Sequence, residues 1–437
     1  MNFDLLFKKA KEKGIEDIQV YLIKDKEFDL EVFKNELEKY SIASTHKLYV
    51  KGIYDSKMGT VTTEVITDDI IDFVIDSIIA SAKTIDSEDE VFIYEGDKEY
   101  REVTGLYNES LNEVSAKDKI NNMFEFEKKV LAEDKRIIMA RIMYSDGSRK
   151  ITIKNTKGLE LEKLVNVGTA VAYVVASDGK DQRVAYEFTN TNEYSDFDFE
   201  DLASKSVKKA VSLLGATPCD SGEYEILLTN SASSSLLMPH LSMFSAESVQ
   251  RNISLLKGKI GEVIGSSKVT LIDDPFMTNS MSSGAFDDEG VATTYKELIS
   301  KGKLTGYLYN LKTAKKDDVK STGNGFIQGI SPTNIYFKQG ELSYDDAVKS
   351  MKKGLVITNL DGTHSGTNPV SGDFSLQASG FLVEEGKIVR PVALITVAGN
   401  YLKLLQDVTD VCNDLKIGFG SIGSPSLKIK SLMVSGN

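Results

Sequence analysis

Three histidines (His46, His240 and His364) and two cysteines (Cys219 and Cys412) are the whole supply of imidazole and thiol in this chain. Most metal-assisted and nucleophilic hydrolysis draws on those two groups. A helical zinc site needs two ligands on one face, usually His at i and i+4, with a carboxylate that activates water. Here the nearest two histidines, His240 and His364, are 124 residues apart, and His240 is followed by Leu241 rather than Glu. Phe244 and Ser245 fill the places where a second His would be useful. His240 with Glu247 and Cys412 is a conceivable partial ligand set; otherwise His240 reads as a packed helix residue beside Pro239. His364, between Gly362 and Gly366, reads as an exposed loop residue. The cysteines lie 193 residues apart, which makes neither a disulfide framework nor a CxxC metal knuckle. They read as two buried or free thiols in a reducing compartment.

Other chemistries leave fainter traces. Gly418-Phe419-Gly420-Ser421-Ile422-Gly423 fits G-x-G-x-x-G, but a dinucleotide fingerprint must open a helix after a strand. Pro425 and the alternation of Leu427, Ile429, Ser431 and Met433 follow instead, so a Gly-rich turn is expected. Gly258-Lys259, Gly302-Lys303 and Gly386-Lys387 each precede Ile or Leu, so no Walker-type loop exists, and no G-x-S-x-G elbow occurs. A Ser/His/Asp triad would have to use His240 or His364. Asp287-Asp288-Glu289-Gly290 is a tight acidic cluster that could hold a cation or an amine, pair with Lys or Arg, or form a solvated turn. Asp273-Asp274-Pro275 reads as a strand end.

The elements that must position these residues differ between the two halves. Phe3, Leu6, Phe7 and Ala10 mark a helix over 1–13, and Ile70, Ile71, Val74, Ile75, Ile78 and Ile79 mark another over 68–83. Ile18–Leu22, Phe28–Val32, Leu48–Val50 and Val61–Val65 alternate like strands. Residues 86–101 are polar and acidic, a solvated connection, and 115–134 is a helix capped by Ser115. Ile137–Tyr144 and Ile151–Lys154 flank Asp146-Gly147, a hairpin signal. A β-rich run over 168–187 precedes a helix at 199–214 that ends at Gly215. Turn formers cluster over 215–222, which places the boundary between an N-terminal α/β domain, 1–218, and a C-terminal domain, 219–437. The second domain opens with Tyr224–Thr229 and a Ser-rich helix from about 231, interrupted at Pro239. Strand runs at 269–272, 355–358, 381–383, 388–389, 393–397 and 427–434 then alternate with Asp361-Gly362, Ser371-Gly372-Asp373 and Glu385-Gly386 turns. The fold class is therefore α/β of the α+β kind: a mixed α/β domain followed by a large, mostly antiparallel sheet with few helices.

Composition sets the outer limits. Acidic residues number 65 against 52 basic, a net charge of −13, which argues against a nucleic-acid partner. No apolar run approaches the ~18 residues of a membrane helix. Met1-Asn2-Phe3-Asp4 lacks the basic start and apolar run of a signal peptide, so a cytoplasmic location is expected.

In order along 220–437, several short pieces resemble the TldD/PmbA family. They are Lys257-Gly258-Lys259-Ile260-Gly261-Glu262, Val269–Pro275, Phe286-Asp287-Asp288-Glu289-Gly290-Val291 and Lys303–Leu308. Ser321-Thr322-Gly323-Asn324-Gly325, Pro332-Thr333-Asn334, Lys353-Gly354-Leu355, Ser371–Ser375, Gly386-Lys387-Ile388 and Gly423–Leu427 complete the series. The resemblance implies a two-subunit assembly that degrades or trims unfolded peptides. In that family the catalytic branch carries an H-E-x-x-x-H helix and a downstream Cys as metal ligands. At that place this chain has Pro239-His240-Leu241, with Cys412 near the ligand Cys. It therefore resembles the PmbA/TldE branch, which lacks the metal site. The expectation is no catalytic residue, no metal and no cofactor in this chain, with zinc in a TldD-like partner subunit of a heterodimer, or a homodimer. Asp287, Asp288, Glu289, Thr333 and Asn334 are the expected peptide contacts. Two alternatives stand beside this reading: a homo-oligomeric peptide-binding or chaperone-like protein without catalysis, and an autonomous hydrolase with a Ser or Cys nucleophile.

Overall fold

A computed structural model describes residues 1–86 and 90–437. The first half is one long-stranded antiparallel sheet with helices laid on it. Helix α1 (Phe3–Glu12) is capped by Asn2, whose side chain accepts from the Leu5 N–H. Strands β1 (Ile18–Phe33), β2 (Glu36–Tyr54) and β3 (Lys57–Thr63) follow, then α2 (Ile71–Lys83), a short α3 (Ser110–Glu113) and α4 (Ala116–Glu133). Strands β4 (Ile137–Asn155), β5 (Glu160–Ser177) and β6 (Gln182–Thr191) and helix α5 (Phe199–Ser212) complete it. The sheet order is β3-β2-β1-β4-β5-β6, so β3 and β6 are edges. The isoleucine stripe of α2 buries Ile71, Val74, Ile75 and Ile78 against Ile18, Val20, Leu48 and Val50. Met123, Phe126 and Val130 of α4 and Leu202 and Val207 of α5 pack with Ile142, Tyr144 and Val174.

Three sequence expectations change here. The separate runs 18–22 and 28–32 are one strand, paired with β2 throughout its length. Asp146-Gly147 is not a turn: Gly147 lies mid-strand between Glu27 of β1 and Val167 of β5. A Cβ on Gly147 would stand 2.7 Å from the Lys26 carbonyl oxygen, so close approach of β1 is what requires glycine. The Asp146 carboxylate takes the buried Lys119 ammonium at 2.6 Å. Turn propensity is local and weak, and two flanking ladders overrule it. The polar connection after α2, whose residues 87–89 lie outside the described residues, is not simply solvated. Ile93 is buried, Tyr100 packs edge-on against Phe286, and the Tyr100 hydroxyl donates to the Gly290 carbonyl at 2.7 Å.

The second half is built from short elements: β7 (Gly222–Leu228), α6 (Asn230–His240), α7 (Ala246–Gln250), β8 (Leu271–Asp273) and β9 (Lys296–Ser300), then further strands. Pro239 is accommodated in α6, and the helix tightens to a 3₁₀ turn only at Leu241–Phe244. The main sheet runs in the order 387–400, 373–384, 353–361, β7, 427–435, 408–411. Strand 427–435 also pairs with Thr396–Ala398, so the sheet curls back on itself. All its contacts are antiparallel except that of 353–361 with β7. A second sheet has the order 303–304, β9, β8, 335–337, 422–424, 416–417. Gly418–Gly423 is a turn entering strand 422–424, as expected.

Candidate functional site

The helix at the metal-site position divides cleanly into two faces. Ser231, Ser234, Ser235 and Met238 sit at i, i+3, i+4 and i+7 and border a cleft, while Ala232, Ser233, Leu236, Leu237 and His240 are buried. The His240 ring is fully buried and stacked on Tyr401 at 4.1 Å and 4°. Its Nδ1 lies 2.8 Å from the Leu236 carbonyl oxygen, and burial lowers its basicity. Cys412 is buried with Leu227, Val356 and Val383. Leu236 and Leu237 of α6 pack with Ile226, Leu228, Leu355 and Ile357 instead. Alternation along the strand turns Leu227 to the face opposite Ile226 and Leu228. His240 and Cys412 thus belong to opposite faces of one sheet. Glu247 is exposed and paired with Arg251. The partial set His240, Glu247 and Cys412 does not assemble. Among the described residues no three His, Cys, Asp or Glu side chains come together as a metal-holding group. The donor residues present do not fit a zinc site. Burial pushes the Cys412 thiol up to about 12, and raises Cys219 also, so neither sulfur is disposed to act as a thiolate nucleophile.

The acidic cluster is not a solvated turn. It lies where the second half meets the first sheet. Asp287 is 1% exposed; its oxygens accept from the N–H groups of Glu289 (3.0 Å), Val291 (2.9 Å) and Gly325 (2.8 Å). Burial, followed by repulsion from Glu289, pushes its carboxyl up to about 8 against those three donors. Glu289 is raised by burial and caps the Leu311 N–H at 2.7 Å. Lys51 of β2 faces both acids, and burial lowers its ammonium. Asp288 accepts from the Tyr21 hydroxyl of β1 at 2.6 Å and borders a cavity of about 620 Å³ with Arg149, Lys163 and Gln328. Thr333 and Asn334 point inward. The Asp273 carboxylate, fully buried, accepts from Thr333 N (2.7 Å) and Oγ1 (2.6 Å), Asn324 Nδ2 (2.8 Å) and Lys296 Nζ (3.0 Å). Asn334 Nδ2 donates to the Asp274 carbonyl (2.6 Å) and Ser283 Oγ (2.9 Å). Of the five expected peptide contacts, Asp288 opens most directly on a cavity; Asp287, Thr333 and Asn334 hold the joint and its loops, and Glu289 borders a smaller hollow with Lys51.

A groove that the sequence did not announce runs between β6 and the curled sheet. Its two hollows, of about 190 and 390 Å³, share Tyr186, Lys209, Thr358 and Asn359. Consecutive residues Gln182–Tyr186 border the larger one. Successive strand side chains point to opposite faces, so such a run borders the hollow partly through its main chain, and the ladder shows which main-chain groups are free of β5. The Ser177 N–H donates to the Arg136 carbonyl on the β4 side, and Ser177 is the register mate of Gln182. Antiparallel alternation then turns the main-chain groups of Val184 and Tyr186 outward. The Tyr186 carbonyl indeed accepts from Lys209 Nζ at 3.2 Å. Charges at the groove are matched within the chain: Arg183 with Asp181 at 2.8 Å, and Lys209 and Lys416 with Glu187 at 2.8 and 2.7 Å. On the opposite wall Ala393 and Leu394 together face the single residue Ser379, a β-bulge. Leu394 has φ +57 and is 65% exposed, the one apolar residue among the described non-glycines with positive φ. A left-handed leucine costs about 1–2 kcal/mol. The strand-like run 393–397 carries no local signal for this bulge.

The fold and these sites define an α+β protein built on three six-stranded sheets, with a strand-edged cleft beneath a serine-faced helix. Residues 109–214 match the model of the PmbA/TldA metallopeptidase central domain and residues 221–436 that of the PmbA/TldA metallopeptidase C-terminal domain. A crystal structure from Thermotoga maritima, described as that of a candidate modulator of a DNA gyrase, is 35% identical over 99% of both chains with a TM-score of 0.93. The metalloprotease PmbA of Escherichia coli O157:H7 is 30% identical over 59% of this chain and 57% of its own. TldE from Thermococcus kodakarensis shares the fold, with a TM-score of 0.90 at 24% identity over 99% of this chain and 100% of that one. The chain belongs to the PmbA/TldD metallopeptidase family. No helix among the described residues is long and apolar enough to cross a membrane.

Proposed function

We propose that this chain is the PmbA/TldE-type, non-catalytic subunit of a two-subunit metallopeptidase acting on unfolded peptides, with zinc held by a TldD-like partner. The observation that carries this reading is α6: it turns serines to the cleft and buries its one imidazole on the sheet face opposite Cys412. In this reading the chain contributes a peptide-binding wall. An extended peptide pairs with the outer edge of β6 through main-chain hydrogen bonds, a sequence-tolerant mode, and the curled sheet closes the groove. Asp288 is the remaining candidate for holding a peptide amine.

The test is zinc content and hydrolysis of an unstructured peptide, measured for the purified chain, for a family member carrying H-E-x-x-x-H, and for their mixture. The expected result is no stoichiometric zinc and no cleavage for this chain alone, and a mixed species more active than either component. Stoichiometric zinc with cleavage by the isolated chain overturns the reading. Peptide binding with neither co-assembly nor turnover in the mixture favours a self-sufficient peptide-binding protein, since the groove is complete within one chain.

A further inference from the structure

Resting on the β6 reading above, we propose that Leu394 forms an apolar side-chain subsite in the groove, so that the peptides bound best are extended segments with a bulky aliphatic or aromatic residue opposite Val184. Three observations converge. The first is backbone conformation. At a bulge position with left-handed φ, glycine is the usual occupant and asparagine the usual substitute, yet this chain holds a leucine with φ +57. Its side chain gains no burial in return, being 65% exposed. Local strain of this kind concentrates at binding sites, where the surrounding fold enforces it.

The second is position. Leu394 borders the same hollow as Val184, Ala185, Leu213, Ala378 and Ala393, and Val184 is 48% exposed. Val184 also turns its main-chain groups to the groove. A strand paired there places every second side chain toward the wall that carries Leu394.

The third is charge. Arg183 is paired with Asp181, Lys209 and Lys416 share Glu187, and Asp361, which accepts from Asn359 Nδ2 at 2.8 Å, supplies a third carboxylate against the three cations. The groove therefore complements a neutral chain. Discrimination falls to apolar contact, with the main chain supplying affinity that ignores sequence.

Fluorescence anisotropy with a labelled, unstructured hexapeptide carrying one central Leu, and with its Ser counterpart, tests this on the full chain. The variants are Leu394→Asn, which suits left-handed φ, and Val184→Pro, which removes an outward N–H where an edge strand tolerates proline. Expected is about tenfold tighter binding of the Leu peptide by the wild type. That preference falls to about twofold or less in Leu394→Asn, whose melting temperature equals or exceeds the wild type's. Both peptides lose most of their affinity for Val184→Pro. If Val184→Pro weakens binding but Leu394→Asn keeps the full Leu preference, the subsite is overturned and the groove reading stands. If Val184→Pro, still folded by melting temperature, binds both peptides as the wild type does, the groove reading itself falls. A Leu394→Asn protein that melts well below wild type shows that the leucine serves the fold, and this too overturns the subsite.

Discussion

The long-stranded sheet of the first half and the main sheet of the second solve the problem of edges differently. The first is open, with β3 and β6 at its borders; the second curls until strand 427–435 meets strand 387–400. Unpaired strand edges invite another chain, and curling removes part of that invitation by pairing Thr396–Ala398 with Met433–Ser435. Even the two edges of the open sheet are unequal. Helix α2 lies against β3: the Thr60 N–H donates to Ser81 Oγ at 3.1 Å, and a Cβ on Gly59 would collide with the Ile78 carbonyl oxygen. Along β6 the Val184 main chain faces a groove instead. An edge left available beside a rigid wall is a place for an extended peptide, whereas a covered edge serves stability.

The comparison can be broken at its foundations first. Asp146→Ala leaves Lys119, 5% exposed at its side chain, without its carboxylate in the middle of the open sheet. A loss of about 3–5 kcal/mol is expected in denaturant unfolding. Overpacking the covered edge comes next: Gly59→Ala pushes α2 off β3, at about 1–3 kcal/mol by the same measurement.

The joint between the halves responds to pH. Asp287, ordinarily near 3.8, is pushed to about 8 in the folded protein, so between those values the folded state holds a proton that the unfolded chain releases. Stability at this position therefore falls as pH rises through that window. Asp287→Asn should flatten the slope of melting temperature against pH; an unchanged slope would show that Asp287 is not the group responsible. The two edges are then compared directly. Met58→Pro on β3, away from the hollow that Asp288 borders, should leave peptide affinity within about twofold of wild type, in contrast to Val184→Pro on β6. Equal losses at both edges would erase the distinction. The smallest effect is chemical: Cys219 and Cys412, 2% and 0% exposed, should react with a disulfide reagent only after unfolding, and rapid labelling of the native protein would contradict their burial.

How much of this was legible follows from the range of each force. The α2 stripe, the Ser115 cap and the Gly215 stop involve neighbours one or two turns apart, and the chain spells them out. The want of paired imidazoles is likewise a property of composition and spacing. Asp146-Gly147 misled because its fate depends on β1, more than a hundred residues away in sequence. The acidic run 287–289 looked exposed because nothing local reveals Tyr21 or Lys51 facing it. Thr333 and Asn334 read as peptide contacts, yet a buried Asp273 has prior claim on Thr333, and nothing in the local sequence reveals it.

By itself, then, the amino-acid order determined the helices, the strand-rich second half, the family resemblance and the scarcity of metal donors, since all of these are written in local spacing. Tertiary structure alone decided which strand edge stays open, that His240 and Cys412 lie on opposite sides of a sheet, and that a strained leucine looks across a groove at Val184. Those are outcomes of long-range pairing and burial, which act between residues that the chain order keeps far apart.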